Sequence, residues 1–238
     1  MDSVILQSGG SALEKTALLV GNSDGIGLAV TRRLLASGWE VTGVSRSDSS
    51  VSEALYAHHV ADVTSQEYPG LLSELAGDGD FDLCCYFAGV GELIDLTDMA
   101  EEVHVVDVNL MGMIRTVAGI LPGMVRRGRG HFIGLSSLAD ELLSGAAPSY
   151  HASKAGFTNY LGSLALALKE TGVAVTNVRF GFVDTKMAKG DRKPFMLGVE
   201  QAADHVEKCI ETKPRVYVAP RRAVPLVKLR KWMMRLAG

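Results

Sequence analysis

TALLVGNSDGIGLAVTRRLLASG, residues 16–38, holds an apolar run, a glycine-rich turn and an amphipathic segment, in that order. TALLV (16–20) reads as a buried strand. LAVTRRLLASG (28–38) puts apolar residues at helical spacing and stops at Gly38. Between them Gly21, Gly25 and Gly27 form G-x-x-x-G-x-G. Residues without side chains let the backbone turn tightly and let a pyrophosphate approach a helix N-terminus. The spacing differs from the G-x-G-x-x-G of other dinucleotide folds, and the Gly-Lys-Ser/Thr ending of a nucleoside triphosphatase loop is missing.

The alternation continues along the chain. EVTGVSR (40–46), AHHVADV (57–63), FDLCCYFAGVG (81–91), GHFIGLSS (130–137), VAVTNVRFGFV (173–183) and RVYVAP (215–220) read as strands. Helices are expected over 65–77, over 98–127 with a kink at Pro122, over 149–172 and over 199–212. This order implies right-handed βαβ units and a parallel sheet covered on both faces. The fold class is therefore α/β: one doubly wound, Rossmann-like domain of about seven strands over 16–220. A loose extension (1–15) precedes it and a basic segment (221–238) follows. Such sheets bind ligands at the carboxyl ends of their strands, near the point where strand order reverses.

Composition narrows the function classes. Hydrophobic residues make 47% of the 238 and charged residues 21%, as in a globular protein with a sizeable core. Three cysteines, Cys84, Cys85 and Cys209, lie in apolar or helical runs without CxxC or zinc spacing, so they read as buried side chains in a reducing compartment. His58-His59 reads as surface or packing, and no metal site is expected. The first residues lack the basic start and apolar core of a secretory signal, and no stretch is expected to span a bilayer. A cytoplasmic protein is the expectation, at most peripheral to a membrane.

SYHASKAGF (149–157) sets Tyr150 and Lys154 one helical turn apart on one face. Alone, such a pair is a weak signal. Ser137 stands thirteen residues earlier in IGLSSLAD, Asn109 lies in VNLMG, and FGFVDT (180–185) follows the sixth strand. Together with GNSDGIG, and in this order, these motifs resemble the short-chain dehydrogenase/reductase family over nearly the whole chain, from Thr16 to Pro220. The resemblance implies an oxidoreductase acting on CH–OH groups with a nicotinamide cofactor. Tyr150 would be the acid/base, Lys154 would lower its pKa and reach the nicotinamide ribose, and Ser137 would polarise the substrate oxygen. Asn109 matches the family residue that holds a water in the proton path. Ser136 is the alternative hydroxyl, and only one of two adjacent strand residues can face the site. No G-x-S-x-G supports a hydrolase.

The cofactor-binding residues implied are Gly21, Ser23, Asp24, Gly25, Ile26, Gly27, Arg46, Asp62, Val63, Ala88, Gly89, Tyr150, Lys154, Gly181, Val183 and Thr185. Members that prefer NAD usually end the second strand in an acidic residue. Here Ser45 and Arg46 stand there, and a guanidinium suits the 2′-phosphate of NADP. NADP(H) is therefore expected over NAD(H), with Asp24 weighing against it. Two departures stand out. The family's Asn-Asn-Ala-Gly reads Tyr86-Phe87-Ala88-Gly89, where aromatic packing would have to support the loop, and its Pro-Gly reads Phe180-Gly181.

LADELLSGAAP (138–148) would wall the substrate cleft and KMAKGDRKPFML (186–197) would cover it. Leu138, Leu142, Leu143, Met187, Phe195 and Met196 suggest an apolar pocket for a lipophilic ketone or alcohol. From Lys213 onward stand eight basic residues and no acidic one, so the preceding residues carry −11 of a net −3. Leu226, Leu229, Trp232, Met233 and Leu236 fall on one face of a helix after Pro225. That helix could lie on an anionic membrane, or pack on the body or a neighbouring subunit. Nucleic acid is not an expected partner; a homodimer or homotetramer is. A second function class stays open: a non-catalytic cofactor-binding regulator, or a membrane-associated scaffold, on the same fold.

Overall fold

The computed structural model describes residues 15–78, 81–187, 193 and 195–236. Most of the extension 1–15 and part of the covering segment 186–197 lie outside the described residues. The elements in order are β1 (Thr16–Val20), α1 (Gly25–Ala36), β2 (Glu40–Ser45), β3 (Tyr56–Val60), α2 (Tyr68–Asp78) and β4 (Leu83–Tyr86). Next come α3 (Ala100–Val106), a π-helical segment (Asp107–Gly112), α4 (Met113–Arg127), β5 (Gly130–Ser137), a 3-10 turn (Leu138–Glu141) and α5 (Pro148–Ala167). β6 (Val173–Phe180), α6 (Val199–Thr212), β7 (Val216–Ala219), a second 3-10 turn (Arg221–Ala223) and α7 (Val224–Leu236) complete the set.

The seven strands form one parallel sheet in the order β3-β2-β1-β4-β5-β6-β7. The chain winds outward from β1 to β3 and then returns to β4, so order reverses between β1 and β4, where a crevice opens at the carboxyl edge. Side chains on a strand alternate between faces. Leu18, Val20 and Cys84 pack with Leu72, Met113, Val117 and Phe157 on one side, whereas Ala17, Leu19 and Cys85 pack with Val30, Leu34, Ala203 and Val206 on the other. The adjacent cysteines thus face opposite layers, and burial pushes both thiols well above the ordinary value. On the second layer Arg33 of α1 bridges Glu200, Asp204 and Glu207 of α6.

Several elements are shorter than the sequence suggests. β3 ends at Val60, because Asp62 turns the chain by accepting bonds from Thr64 N (2.8 Å) and Thr64 Oγ1 (2.7 Å). β4 ends at Tyr86: Phe87 N and Ala88 N both donate to Val20 O, which breaks the ladder. α5 gives way to a turn before Gly172, whose φ of 76° lets its backbone pass against Gly128 O.

Two expectations are corrected here. The stretch expected as one helix over 98–127 is interrupted by the π-helical segment 107–112, and Pro122 lies inside α4. By length and composition Ala100–Arg127 is also apolar enough to cross a membrane. Its apolarity reflects a long row of core positions: Val105, Val108, Met113, Val117, Ile120 and Met124 are buried.

Candidate active site

The glycine loop is a cradle that side chains would fill. Gly21 has a φ of 83°, and a Cβ there would collide with the backbone of Ala88; one at Gly27 would strike the Gly21 carbonyl. Directly behind the loop the wholly buried Asn22 ties β1 to β2. Its backbone N–H donates to Ser45 Oγ (3.1 Å), its Oδ1 accepts from that hydroxyl (3.1 Å), and its Nδ2 donates to Thr31 Oγ1 (3.0 Å) and Tyr56 Oη (2.9 Å). Tyr56 Oη in turn meets His58 Nδ1 at 2.7 Å. Sequence reasoning missed Asn22 and Tyr56, and took Ser45 only as the residue standing in place of an acid at the end of the second strand. The available signal was Asn22 itself, a polar residue placed between a buried strand and a glycine turn.

Asp24 precedes α1 and pairs with Lys186 at 2.8 Å, linking the glycine loop to the segment after β6. Gly25 faces Thr185 across the crevice, 3.6 Å from a Cβ position to Thr185 Cγ2. Arg46 is exposed just past β2. Burial works to raise the Asp62 carboxyl, but the Thr64 backbone and hydroxyl, followed by the Arg46 and His104 charges, outweigh it and hold the pKa low. Val63 is buried against Gly112, and Gly181 N donates to Ala219 O beside Pro220. Val183 bridges to Leu197. Glycines at the pyrophosphate position, a basic residue at the end of β2 and Thr185 opposite the loop together fit a dinucleotide.

The polar residues expected to do chemistry gather at the carboxyl ends of β4 and β5. Tyr150 and Lys154 lie on α5, with Lys154 Nζ 5.9 Å from the Tyr150 ring centre and 5.1 Å from that of Phe157. Lys154 Nζ donates to Leu135 O at 2.9 Å. A Cβ at Gly89 would lie 3.4 Å from Asn109 Oδ1, 3.5 Å from Met187 Cε and 3.7 Å from Lys154 Nζ, and one at Gly91 would lie 3.2 Å from Tyr150 Cδ2. These bare glycines therefore line a slot beside the phenol and the amine. Ser137 stands near enough to Tyr150 to favour its ionised form, and its Oγ accepts from Ala139 N at 3.1 Å, capping the 3-10 turn. Ser136 faces away, onto Thr158 Oγ1 at 2.8 Å.

Burial raises the Tyr150 phenol above the ordinary tyrosine value; the Ser137 hydrogen bond opposes this, and the Asp140 carboxylate adds to it. The sequence led to the expectation of a phenol lowered by Lys154, but in this fold desolvation prevails. Burial also lowers Lys154 to about 8, with Asp140 partly opposing.

Asn109 is buried in the π-helical segment. Its Oδ1 accepts from Val90 N (2.8 Å), and its Nδ2 donates to Val90 O (2.9 Å) and Ser153 Oγ (3.0 Å). These bonds fix the loop after β4. Tyr86 adds a hydrogen bond from its hydroxyl to Val108 O at 2.6 Å and a ring contact with Phe157. Support for the loop thus comes from a phenol as well as from packing, and Gly112 leaves room for that hydroxyl.

The cleft wall is anchored by a pair that sequence reasoning missed. Asp140, its side chain 1% exposed, takes Arg179 Nε (2.7 Å) and Nη2 (2.6 Å) on its two oxygens and Thr158 Oγ1 at 2.6 Å. Glu141 binds Arg179 (2.6 Å) and Lys231 of α7 (3.1 Å). The expected apolar lining is only partly assembled. Leu138 is buried beneath Gly181, and Met187 touches the Gly89–Gly91 slot. Phe195 lies under the Arg222 guanidinium at 5.1 Å, and Leu143 is 78% exposed.

Comparison with known proteins follows the same lines. The family described as short chain dehydrogenase matches residues 15–194. An uncharacterized oxidoreductase of Myxococcus xanthus is 30% identical over 214 residues, covering 82% of this chain and 83% of that one. A D-beta-hydroxybutyrate dehydrogenase of Rhizobium meliloti is 28% identical over 192 residues, 74% of each chain. In fold, the chain resembles a short chain dehydrogenase from Burkholderia cenocepacia solved in complex with NADP, with a TM-score of 0.81 at 21% identity over 90% of this chain and 92% of that one.

Proposed function

Since the chain belongs to the short-chain dehydrogenase family, we propose that it is an NADP(H)-linked oxidoreductase that interconverts a lipophilic ketone and its alcohol. The observation that carries this reading is the gathering of Tyr150, Lys154 and Ser137 at the bare-glycine slot of Gly89 and Gly91, with Lys154 Nζ 5.9 Å from the Tyr150 ring centre and Ser137 acting on the phenol. NADP(H), when bound, supplies or accepts the hydride. Ser137 holds the substrate oxygen, and Tyr150 gives it a proton as the carbonyl is reduced. A phenol raised by burial keeps its proton at neutral pH, which suits it as donor in the reductive direction. Lys154 keeps a positive charge beside the phenol below pH 8 and offers its remaining N–H groups to the ribose. Asn109 holds the loop that carries Gly89, a positioning role in place of direct contact.

NADP over NAD is supported by Arg46 at the end of β2 and by the pairing of Asp24 with Lys186, which offsets the one acid in the loop. The NADP found in the Burkholderia protein is consistent with this. Tyr86, one of the departures from the family pattern, has a structural duty under the π-helical segment, so it lends no support to the non-catalytic alternative. The proposed setting is the cytoplasm, as a homodimer or homotetramer.

A panel of aliphatic and aromatic ketones with NADPH or NADH, followed at the nicotinamide absorbance, tests the reading. Turnover of at least one ketone, faster with NADPH, is expected. No turnover of any ketone, or of the matching alcohols with NADP, would overturn it.

A further inference from the structure

The last helix keeps an apolar face in solvent. On α7, Val224, Val227, Lys231 and Met234 are the half-buried, body-facing side. Leu226, Leu229, Trp232 and Met233 point away and are between 48% and 59% exposed. Lys228 and Arg230 are exposed on the same helix, and Arg221 and Arg222 are exposed just before it. A soluble helix ordinarily turns its charged face outward. Here apolar side chains project, with cations beside them, which is the pattern of a helix lying in a membrane interface.

Position gives the pattern a purpose. β7 is parallel to its neighbours, so it delivers the chain to the carboxyl edge of the sheet, and α7 starts there. Lys231 then bonds Glu141 beside the cleft wall, and Arg222 lies over Phe195. Exposed apolar side chains continue around this rim at Leu143, Phe182, Met187 and Phe195.

We infer that α7 docks this protein on an anionic lipid bilayer and brings the rim of the substrate cleft to the membrane surface. The second half of that statement rests on the oxidoreductase reading of the cleft; the docking itself does not. Charge decides between a bilayer and a second copy of the chain. Every charged residue from Lys213 onward is basic. Two copies meeting through α7 would oppose Lys228 and Arg230 to their own equivalents, whereas an anionic surface attracts each of them by about 1 kcal/mol.

The test is sedimentation of the full chain with vesicles of phosphatidylcholine alone or with a quarter phosphatidylglycerol. Binding to the anionic vesicles is expected, with at least tenfold weaker binding to neutral ones or in 0.5 M salt. Leu229→Glu with Trp232→Glu should abolish binding, and Lys228→Glu with Arg230→Glu should weaken it at least tenfold. None of these four residues belongs to the proposed catalytic set, and the far-ultraviolet circular dichroism of each variant serves as the check that it is folded. Absence of vesicle binding by the unaltered chain, or binding that survives both pairs of substitutions, would overturn the inference. So would a dimer in sedimentation velocity that Trp232→Glu splits while vesicles are ignored, since that outcome assigns the face to a second copy. Vesicle binding is read without turnover, so failure of the oxidoreductase reading would leave this result standing.

Discussion

Lys154 Nζ donates to the carbonyl of Leu135 at 2.9 Å while standing 5.9 Å from the centre of the Tyr150 ring. The backbone of β5 therefore holds the amine in place. Lys154 is buried among strand, helix and aromatic ring, and its pKa falls from 10.5 to about 8. A lowered lysine binds its proton less tightly in the fold than in the unfolded chain. Between pH 8 and 10.5 the unfolded state holds more protons, so stability from this position rises with pH across that window and is least below it. Urea unfolding of the native chain and of Lys154→Met should diverge accordingly. The native chain gains about 2 kcal/mol relative to the variant between pH 7.5 and 9.5. A pH-independent difference would show that the amine is not desolvated.

Tyr86→Phe should cost about 1–3 kcal/mol in urea unfolding, since it leaves the buried Val108 carbonyl without the phenol that serves it. The same change should lower kcat, because the π-helical segment that holds Asn109 loses its support. Unaltered stability would mean that water replaces the hydroxyl.

Asp140→Ala should destabilise by about 1.5–3 kcal/mol, because Arg179 would lose the two-pronged carboxylate that holds its Nε and Nη2 and keep only Glu141. Removing both partners, in Asp140→Leu with Arg179→Met, should cost less than the single change. A double variant as unstable as the sum of the singles would deny that the pair acts as a unit.

The doubly wound fold was legible because strand and helix periods alternate without a break and because glycines sit where β1 turns into α1. GHFIGLSS and VEQAADHVEKCIET match β5 and α6 residue for residue, each bounded by glycine or an αL lysine. The π-helical segment was not legible: its apolar spacing is that of an ordinary helix, and only the contact from Tyr86, distant in sequence, marks the wider turn. Ser137, Tyr150 and Lys154 could be proposed from the motifs the chain shares with its family, but the direction of the Tyr150 shift could not. It depends on how deeply α5 buries the ring, a tertiary property. Asp140 read as part of a loop wall because its partner, Arg179, lies on a different strand. The apolar lining was overstated for a similar reason: residue type does not reveal that Leu143 projects into solvent.

Arg46→Ala should raise the KM for NADPH by about 10- to 100-fold and leave that for NADH nearly unchanged, the size expected for one charge-assisted bond to a phosphate. Steady-state kinetics with both cofactors provides the check. Equal effects on the two would place Arg46 away from the 2′-phosphate.

Replacing Tyr150 by Phe, with NADPH turnover and NADPH binding measured on the same preparation, tests the central claim most directly. The account predicts a fall in kcat of about 10²- to 10⁴-fold with the Kd for NADPH unchanged. Turnover that survives the loss of the hydroxyl would contradict it.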